Sequence, residues 1–126
     1  MNKYKSIIIK RGPEGWGGPL TIVPTQVKNK ILVVTTDGFP PLAKYIANLT
    51  GCELIDGFKI MVPEEEVVLA IIDCGGIARC GIYPKNGIPT MNLNSTGKSG
   101  PLSNFITEEL YVSDVKENTI FLYNIE

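Results

Sequence analysis

Two nearly unbroken apolar runs constrain the fold more than any other feature of the chain. They are Lys30 to Thr36 (Lys-Ile-Leu-Val-Val-Thr-Thr) and Val67 to Asp73 (Val-Val-Leu-Ala-Ile-Ile-Asp). A strand with one face in water alternates apolar and polar residues, whereas a continuous β-branched run marks a strand covered on both faces. Covering both faces requires layers. Lys5 to Lys10 and Ile120 to Tyr123 read as further strands. After Asp37-Gly-Phe-Pro-Pro41 turns the chain, Leu42, Tyr45, Ile46 and Leu49 recur at helical spacing, with proline in the first turn and Gly51 just past the end. Leu102, Phe105, Ile106 and Leu110 predict a second helix, capped by Ser99 with Pro101 in its first turn. The expected architecture is α/β. It is a single domain over residues 1–126 with a mixed sheet, two main helices and a reactive loop at a strand carboxyl end, not a regular doubly wound sheet.

Composition narrows the function. A chain of 126 residues that is 44% hydrophobic suits one core. With 12 Lys plus Arg against 13 Asp plus Glu, it offers no broad positive field to a nucleic-acid backbone. No apolar run approaches the roughly 18 residues of a membrane helix, and Met1 to Lys10 has no export-signal pattern, so a soluble cytoplasmic protein is expected. Three cysteines, Cys52, Cys74 and Cys80, favour free thiols in a reducing compartment. The chain has no histidine, which removes Ser-His and Cys-His nucleophile pairs and most zinc sites.

The strongest chemical signal is Asp73-Cys-Gly-Gly-Ile-Ala-Arg-Cys-Gly-Ile-Tyr-Pro84, a reactive residue directly after a buried strand. Open α/β sheets place their ligands at such strand ends. Gly75 and Gly76 allow successive amides to form a concave nest, and the fork of Arg79 can hold two phosphate oxygens. Amide donors and a guanidinium would also favour the thiolate of a cysteine whose ordinary pKa is about 8.5. The plainer reading makes Cys74 a small buried residue at a turn. Cys74 and Cys80 form a C-x5-C pair, but nothing completes four zinc ligands, and the spacing differs from that of a thioredoxin-type redox pair.

A second signal is Asn94-Ser-Thr-Gly-Lys-Ser-Gly100. Its Gly-Lys-Ser resembles the end of a nucleotide-binding P-loop, yet Asn92 stands where that motif needs glycine, so nucleotide hydrolysis is rejected. Lys98 and Ser99 at a helix start remain suited to an anion. The alternative is a capped helix with a solvated lysine. A third signal, Gly15-Trp-Gly-Gly18, holds the only tryptophan, placed either over the core or against a partner. Asp56 and Glu64 to Glu66 read as solvated charges.

Taken together, Gly15-Trp-Gly-Gly-Pro-Leu20, Thr50-Gly51, Ile55-Asp-Gly-Phe-Lys59, Ile72-Asp-Cys-Gly-Gly76, Arg79-Cys-Gly-Ile-Tyr-Pro-Lys85 and Ser95-Thr-Gly-Lys-Ser-Gly-Pro-Leu102 resemble one family over most of the chain. It is the IIB component of the glucitol/sorbitol phosphotransferase system. The resemblance implies a phosphotransferase that accepts a phosphoryl group on cysteine from a phosphorylated IIA partner. The group then passes to glucitol/sorbitol held by the membrane IIC component, which would place the chain at the inner face of the membrane. Cys74 is then the expected nucleophile, with Gly75, Gly76, Ile77, Ala78, Arg79, Lys98 and Ser99 as the phosphoryl-binding set and no metal or cofactor. Strand-end placement selects Cys74 over Cys80. Members of the family can carry histidine where this chain has Asn94, so no imidazole role transfers to that position. Many members continue into membrane segments, which leaves open a separate subunit or a domain of a longer protein. The alternative function is a non-catalytic module that binds an anion or a partner through the same loops.

Overall fold

The computed structural model of the chain describes residues 4–36, 38–73, 79–98, 100 and 102–123, with the side chains of Arg79 and Cys80 outside that description. Its strands are β1 (Ser6–Ile9), β2 (Leu20–Ile22), β3 (Lys30–Val34), β4 (Glu53–Asp56), β5 (Val67–Ile72), β6 (Thr90–Asn92), β7 (Tyr111–Ser113) and β8 (Ile120–Tyr123). Helix α1 (Pro41–Thr50) connects β3 to β4, and α2 (Arg79–Lys85) lies between β5 and β6. The α/β class with two helices agrees with the expectation from sequence. Parallel and antiparallel pairings are segregated into two sheets. One is five-stranded and parallel in the order β4-β3-β5-β6-β7, and the other is three-stranded and antiparallel in the order β2-β1-β8.

The unbroken apolar run of β5 is explained by its place inside the parallel sheet, where all six of its residues are buried. Successive side chains of a strand point to opposite faces, and the registers align the two sets. Ile31, Val33, Leu69, Ile71, Met91 and Val112 share the first face and pack with Ala43 and Ile46 of α1 and with Ile7, Ile9, Leu20 and Ile22 of the antiparallel sheet. On the second face, Val34, Ile72 and Tyr111 meet Ile106, with Trp16, Leu32 and Tyr83 packed against them. Tyr83 belongs to α2, so the parallel sheet is the middle of three layers. Each fully buried Ile contributes on the order of 1.5–3 kcal/mol.

Helix α1 follows its sequence signals closely. Proline occupies the first turn, and Gly51 ends the helix at φ 82°, donating its N–H to the Ala47 carbonyl at 2.8 Å. The predicted second helix is corrected. Residues 102–110 hold a single 3-10 turn, Ser103–Phe105, and then turn toward β7. The physical reason lies in the backbone. Phe105 and Ile106 donate their N–H groups to the Leu102 and Ser103 carbonyls at 3.1 and 3.0 Å, and Leu110 donates to the Thr107 carbonyl at 3.1 Å, so these donors close tight turns three residues back and do not make the four-residue bonds of an α-helix. Of the four apolar residues that suggested a helix, Ile106 alone is buried, while Phe105 is 40% exposed. Lys98 therefore does not open a helix over 102–110, and the cap assigned to Ser99 falls with it, although Ser99 and Pro101 lie outside the described residues.

The second helix of the fold is α2, seven residues within the segment that suggested a reactive loop. Gly81 lets it approach the next layer closely. A Cβ built there would lie 2.6 Å from both the carbonyl oxygen and the Cβ of Leu102. No helix among the described residues is long and apolar enough to cross a membrane.

Candidate functional site

The carboxyl ends of the five parallel strands form one rim. From β3 the chain winds outward to β4, then crosses back to β5 and continues the other way to β6 and β7. The direction of winding reverses between β3 and β5, and such a reversal opens the crevice in which α/β sheets bind ligands. Asp73 is the first residue beyond β5. Its carboxylate oxygen Oδ2 accepts the Thr36 N–H at 3.1 Å and the Thr36 hydroxyl at 2.9 Å, which bridges the gap between the ends of β3 and β5.

Cys74, Gly75, Gly76, Ile77 and Ala78 follow Asp73 in the sequence and lie outside the described residues, as does Ser99. Arg79 and Cys80 are the first two residues of α2. Among the described cysteines only Cys52 has a defined environment. It precedes β4 at the opposite end of the parallel sheet from the rim, and it is 6% exposed. Burial pushes its thiol pKa up, partly offset by the Thr50 hydroxyl and by Lys30. A thiol held in its neutral form is a poor nucleophile.

The segment 93–98 leaves β6 beside the end of β5, and Leu93 N–H donates to the Ile72 carbonyl at 2.8 Å. A buried polar network shapes it. Asn92 donates its side-chain amide to the Tyr111 hydroxyl at 2.9 Å, and that hydroxyl donates to the Thr96 carbonyl at 2.6 Å. The Asn92 side-chain oxygen accepts from Asn94 N–H at 3.0 Å. Asn92 and Tyr111 are fully buried, and burial raises the Tyr111 pKa, opposed in part by the Asn92 bond. A low-dielectric setting strengthens such bonds and makes their loss expensive. Lys98 projects from this segment as an exposed side chain.

The tryptophan segment joins the same rim. Gly17 bridges antiparallel to Val112, Trp16 N–H donates to the Ser113 hydroxyl at 2.8 Å, and Ser113 N–H donates to the Trp16 carbonyl at 3.0 Å. Gly17 has φ 86°, and its close approach to the Tyr111 carbonyl leaves no room for a side chain. The Trp16 ring lies 6.2 Å from that of Tyr111, and a Cβ on Gly97 would come within 3.2 Å of the Trp16 Cβ. Two of the three sequence signals, Gly15 to Gly18 and the segment ending at Lys98, thus touch, and the third begins at Asp73 on the same rim.

Asp114, just past β7, completes the support. Its backbone sits at φ 59°, its N–H donates to the Asn94 carbonyl at 2.8 Å, and its carboxylate accepts from Glu14 N–H and from Lys116 Nζ, each at 3.0 Å. These donors, the Glu14 amide foremost, hold the Asp114 pKa below the usual carboxylate value. Thr36, Asn92, Tyr111, Ser113 and Asp114 were not singled out from the sequence. The signal that would have found most of them is a polar residue at, or one step beyond, the carboxyl end of a strand.

Residues 6–126 match the family model described as the sorbitol phosphotransferase enzyme II N-terminus. The chain belongs to this family. A curated relative from Clostridium beijerinckii (strain ATCC 51743 / NCIMB 8052), named as the PTS system glucitol/sorbitol-specific EIIB component, is 53% identical over 123 residues. The match covers 97% of this chain and 37% of the relative, so the chain spans well under half of that protein's length. No solved structure matches it. In this member of the sorbitol enzyme II family, three of the six segments that carried the resemblance, those beginning at Gly15, Ile72 and Ser95, reach the rim, whereas Thr50-Gly51 lies before β4 at the opposite end of the parallel sheet.

Proposed function

We propose that this chain is the IIB domain, residues 1–126, of a glucitol/sorbitol phosphotransferase system, and that Cys74 carries the phosphoryl group. The observation that carries the reading is the 53% identity, across nearly the whole chain, to a relative named as a glucitol/sorbitol-specific EIIB component. The choice of cysteine is supported by position. Cys74 follows Asp73 at the reversal between β3 and β5, whereas Cys52 is buried at the other end of the sheet and Cys80 lies within α2.

The Cys74 thiolate attacks the phosphorus of a phosphohistidine on the IIA partner. The sulfur–phosphorus bond forms as the nitrogen–phosphorus bond breaks, and the imidazole departs. A hydroxyl oxygen of glucitol/sorbitol, held by the membrane IIC component, then attacks the same phosphorus. The sulfur–phosphorus bond breaks, the thiolate is regenerated and the hydroxyl proton is released. Charge on the moving phosphoryl group falls to the amides of Gly75, Gly76, Ile77 and Ala78, with Arg79, Lys98 and Ser99 as further donors. The chain works at the inner membrane face through its contact with IIC.

The test is intact-protein mass after incubation with phosphorylated IIA, on wild type, Cys74→Ser and Cys80→Ser. The expected result is one alkali-stable, iodine-labile phosphoryl group on wild type and Cys80→Ser and none on Cys74→Ser. Loss in Cys80→Ser alone moves the site to Cys80. No gain by wild type with an active donor overturns the carrier reading in favour of a non-catalytic binding module.

A further inference from the structure

We propose that Thr36 is a positioning residue for the phosphoryl acceptor, acting through the carboxylate of Asp73. What is positioned rests on the carrier reading of Cys74; the tether itself rests on the geometry of two described residues. Both Thr36 donors converge on one oxygen of Asp73, at 3.1 Å from the N–H and 2.9 Å from the hydroxyl. Asp73 is half-buried, the first residue beyond β5 and the last before Cys74 in the sequence.

The anchor is itself held. Thr35, immediately before Thr36, is 3% exposed, and its hydroxyl donates to the Gly38 carbonyl at 2.8 Å, closing the turn that leaves β3. Parallel pairing locks β3 to β5 as far as Val34 and Ile72. The tether extends that lock two residues past β3 and one past β5, across the point where the winding reverses. Thr36 is exposed, so its hydroxyl adds little to the core, and what it does is local.

The tether also answers an electrostatic problem. A carboxylate adjacent in sequence to a phosphoryl acceptor repels the anionic group that must arrive there. The two Thr36 donors hold that carboxylate across the gap to the end of β3 and so restrict its rotation. Small misplacements of a reacting atom reduce rates steeply, so a fixed exit from β5 bears directly on transfer.

The test compares Thr36→Val, which removes the hydroxyl while keeping the β-branched shape, with Thr36→Ser, which keeps both donors. Thr36→Val is expected to slow single-turnover transfer to Cys74 roughly fivefold, the effect of losing one hydrogen bond. It should also speed amide hydrogen exchange in the peptide covering 74–78, with the thermal midpoint unchanged. Thr36→Ser should restore both readouts, and Thr36→Val should have no further effect in an Asp73→Ala background. Wild-type transfer and exchange in Thr36→Val, or an equal slowing with Asp73 already removed, overturns the tether. If wild type accepts no phosphoryl group, the carrier reading fails separately, and the exchange comparison alone decides the tether.

Discussion

The buried amide of Asn92, the last residue of β6, donates to the hydroxyl of Tyr111, the first residue of β7, at 2.9 Å, on the face against which Trp16 packs. Through that hydroxyl the bond reaches the Thr96 carbonyl, so the segment bearing Lys98 is held by this side-chain network as well as by the backbone bonds at Leu93 and Asn94. The rim is thus built in two ways. Between β3 and β5 it is closed by Thr36 and Asp73 near the surface, and beyond β6 it is held by a network centred on the fully buried Asn92 and Tyr111.

Tyr111→Phe removes one acceptor and one donor from that network without changing ring volume. Leaving buried polar groups without a partner costs about 1–3 kcal/mol, and chemical denaturation should register a loss of that size. The same residue sets an alkaline limit. Burial raises the folded-state pKa of Tyr111 above its unfolded value. The folded state therefore retains the proton where the unfolded state has lost it, and stability falls as pH rises beyond about 10. Denaturation midpoints across that range should decline less steeply in Tyr111→Phe than in wild type.

Asp114→Asn separates charge from backbone conformation. Asparagine tolerates the left-handed region that Asp114 occupies at φ 59°, so the chain path should persist. Because the folded-state pKa of Asp114 lies below its unfolded value, its contribution is present above that unfolded value and is lost as pH falls toward the folded one. Wild type should lose stability between about pH 5 and pH 3, and the Asp114→Asn variant should show a shallower acid slope. Urea denaturation at several pH values in that window measures the difference.

Gly81→Ala sets two effects against each other. Alanine favours a helix interior over glycine by about 1 kcal/mol. Its Cβ, however, would lie 2.6 Å from the Leu102 carbonyl oxygen, a backbone atom that cannot simply rotate away. Overpacking of this kind costs about 1–3 kcal/mol, so net destabilisation is expected. In the carrier reading, because α2 begins at Arg79, displacing it should also slow phosphoryl transfer, whereas an alanine tolerated without shift would leave both denaturation midpoint and transfer rate unchanged.

What the sequence made legible follows from how each element is stabilised. β3, β5 and α1 carry their signals locally, in apolar runs and in a proline and a glycine at the helix ends, and they were read nearly to the residue. β6 and β7 are three residues each and owe their form to neighbours, so they left no periodic trace. α2 was missed because glycine and proline inside Arg-Cys-Gly-Ile-Tyr-Pro-Lys argue against a helix that packing nevertheless holds. The false helix over 102–110 arose from spacing alone, since the Ile106 and Leu110 amides close turns onto Ser103 and Thr107, three residues back and not the four of an α-helix. At the site, residue types suited to an anion were legible. The partners that aim them, Thr36 for Asp73 and Tyr111 for Thr96, are distant in sequence and became visible only when the strands were paired.

Lys98→Gln discriminates a working charge from a solvated one. Lys98 is exposed on a segment whose path is set by Thr96 and Gly97, so the substitution should leave stability within about 0.5 kcal/mol of wild type. In the carrier reading its ammonium meets the phosphoryl oxygens as charge builds during transfer. A hydrogen bond to a charged group contributes about 1.5–3 kcal/mol, which corresponds to a rate loss of roughly tenfold or more. Rapid-quench measurement of transfer from phosphorylated IIA to the variant should show that loss at saturating donor, which separates it from weakened docking. A variant that transfers at the wild-type rate would remove Lys98 from the phosphoryl-binding set and leave the Gly75 to Arg79 segment to balance the charge.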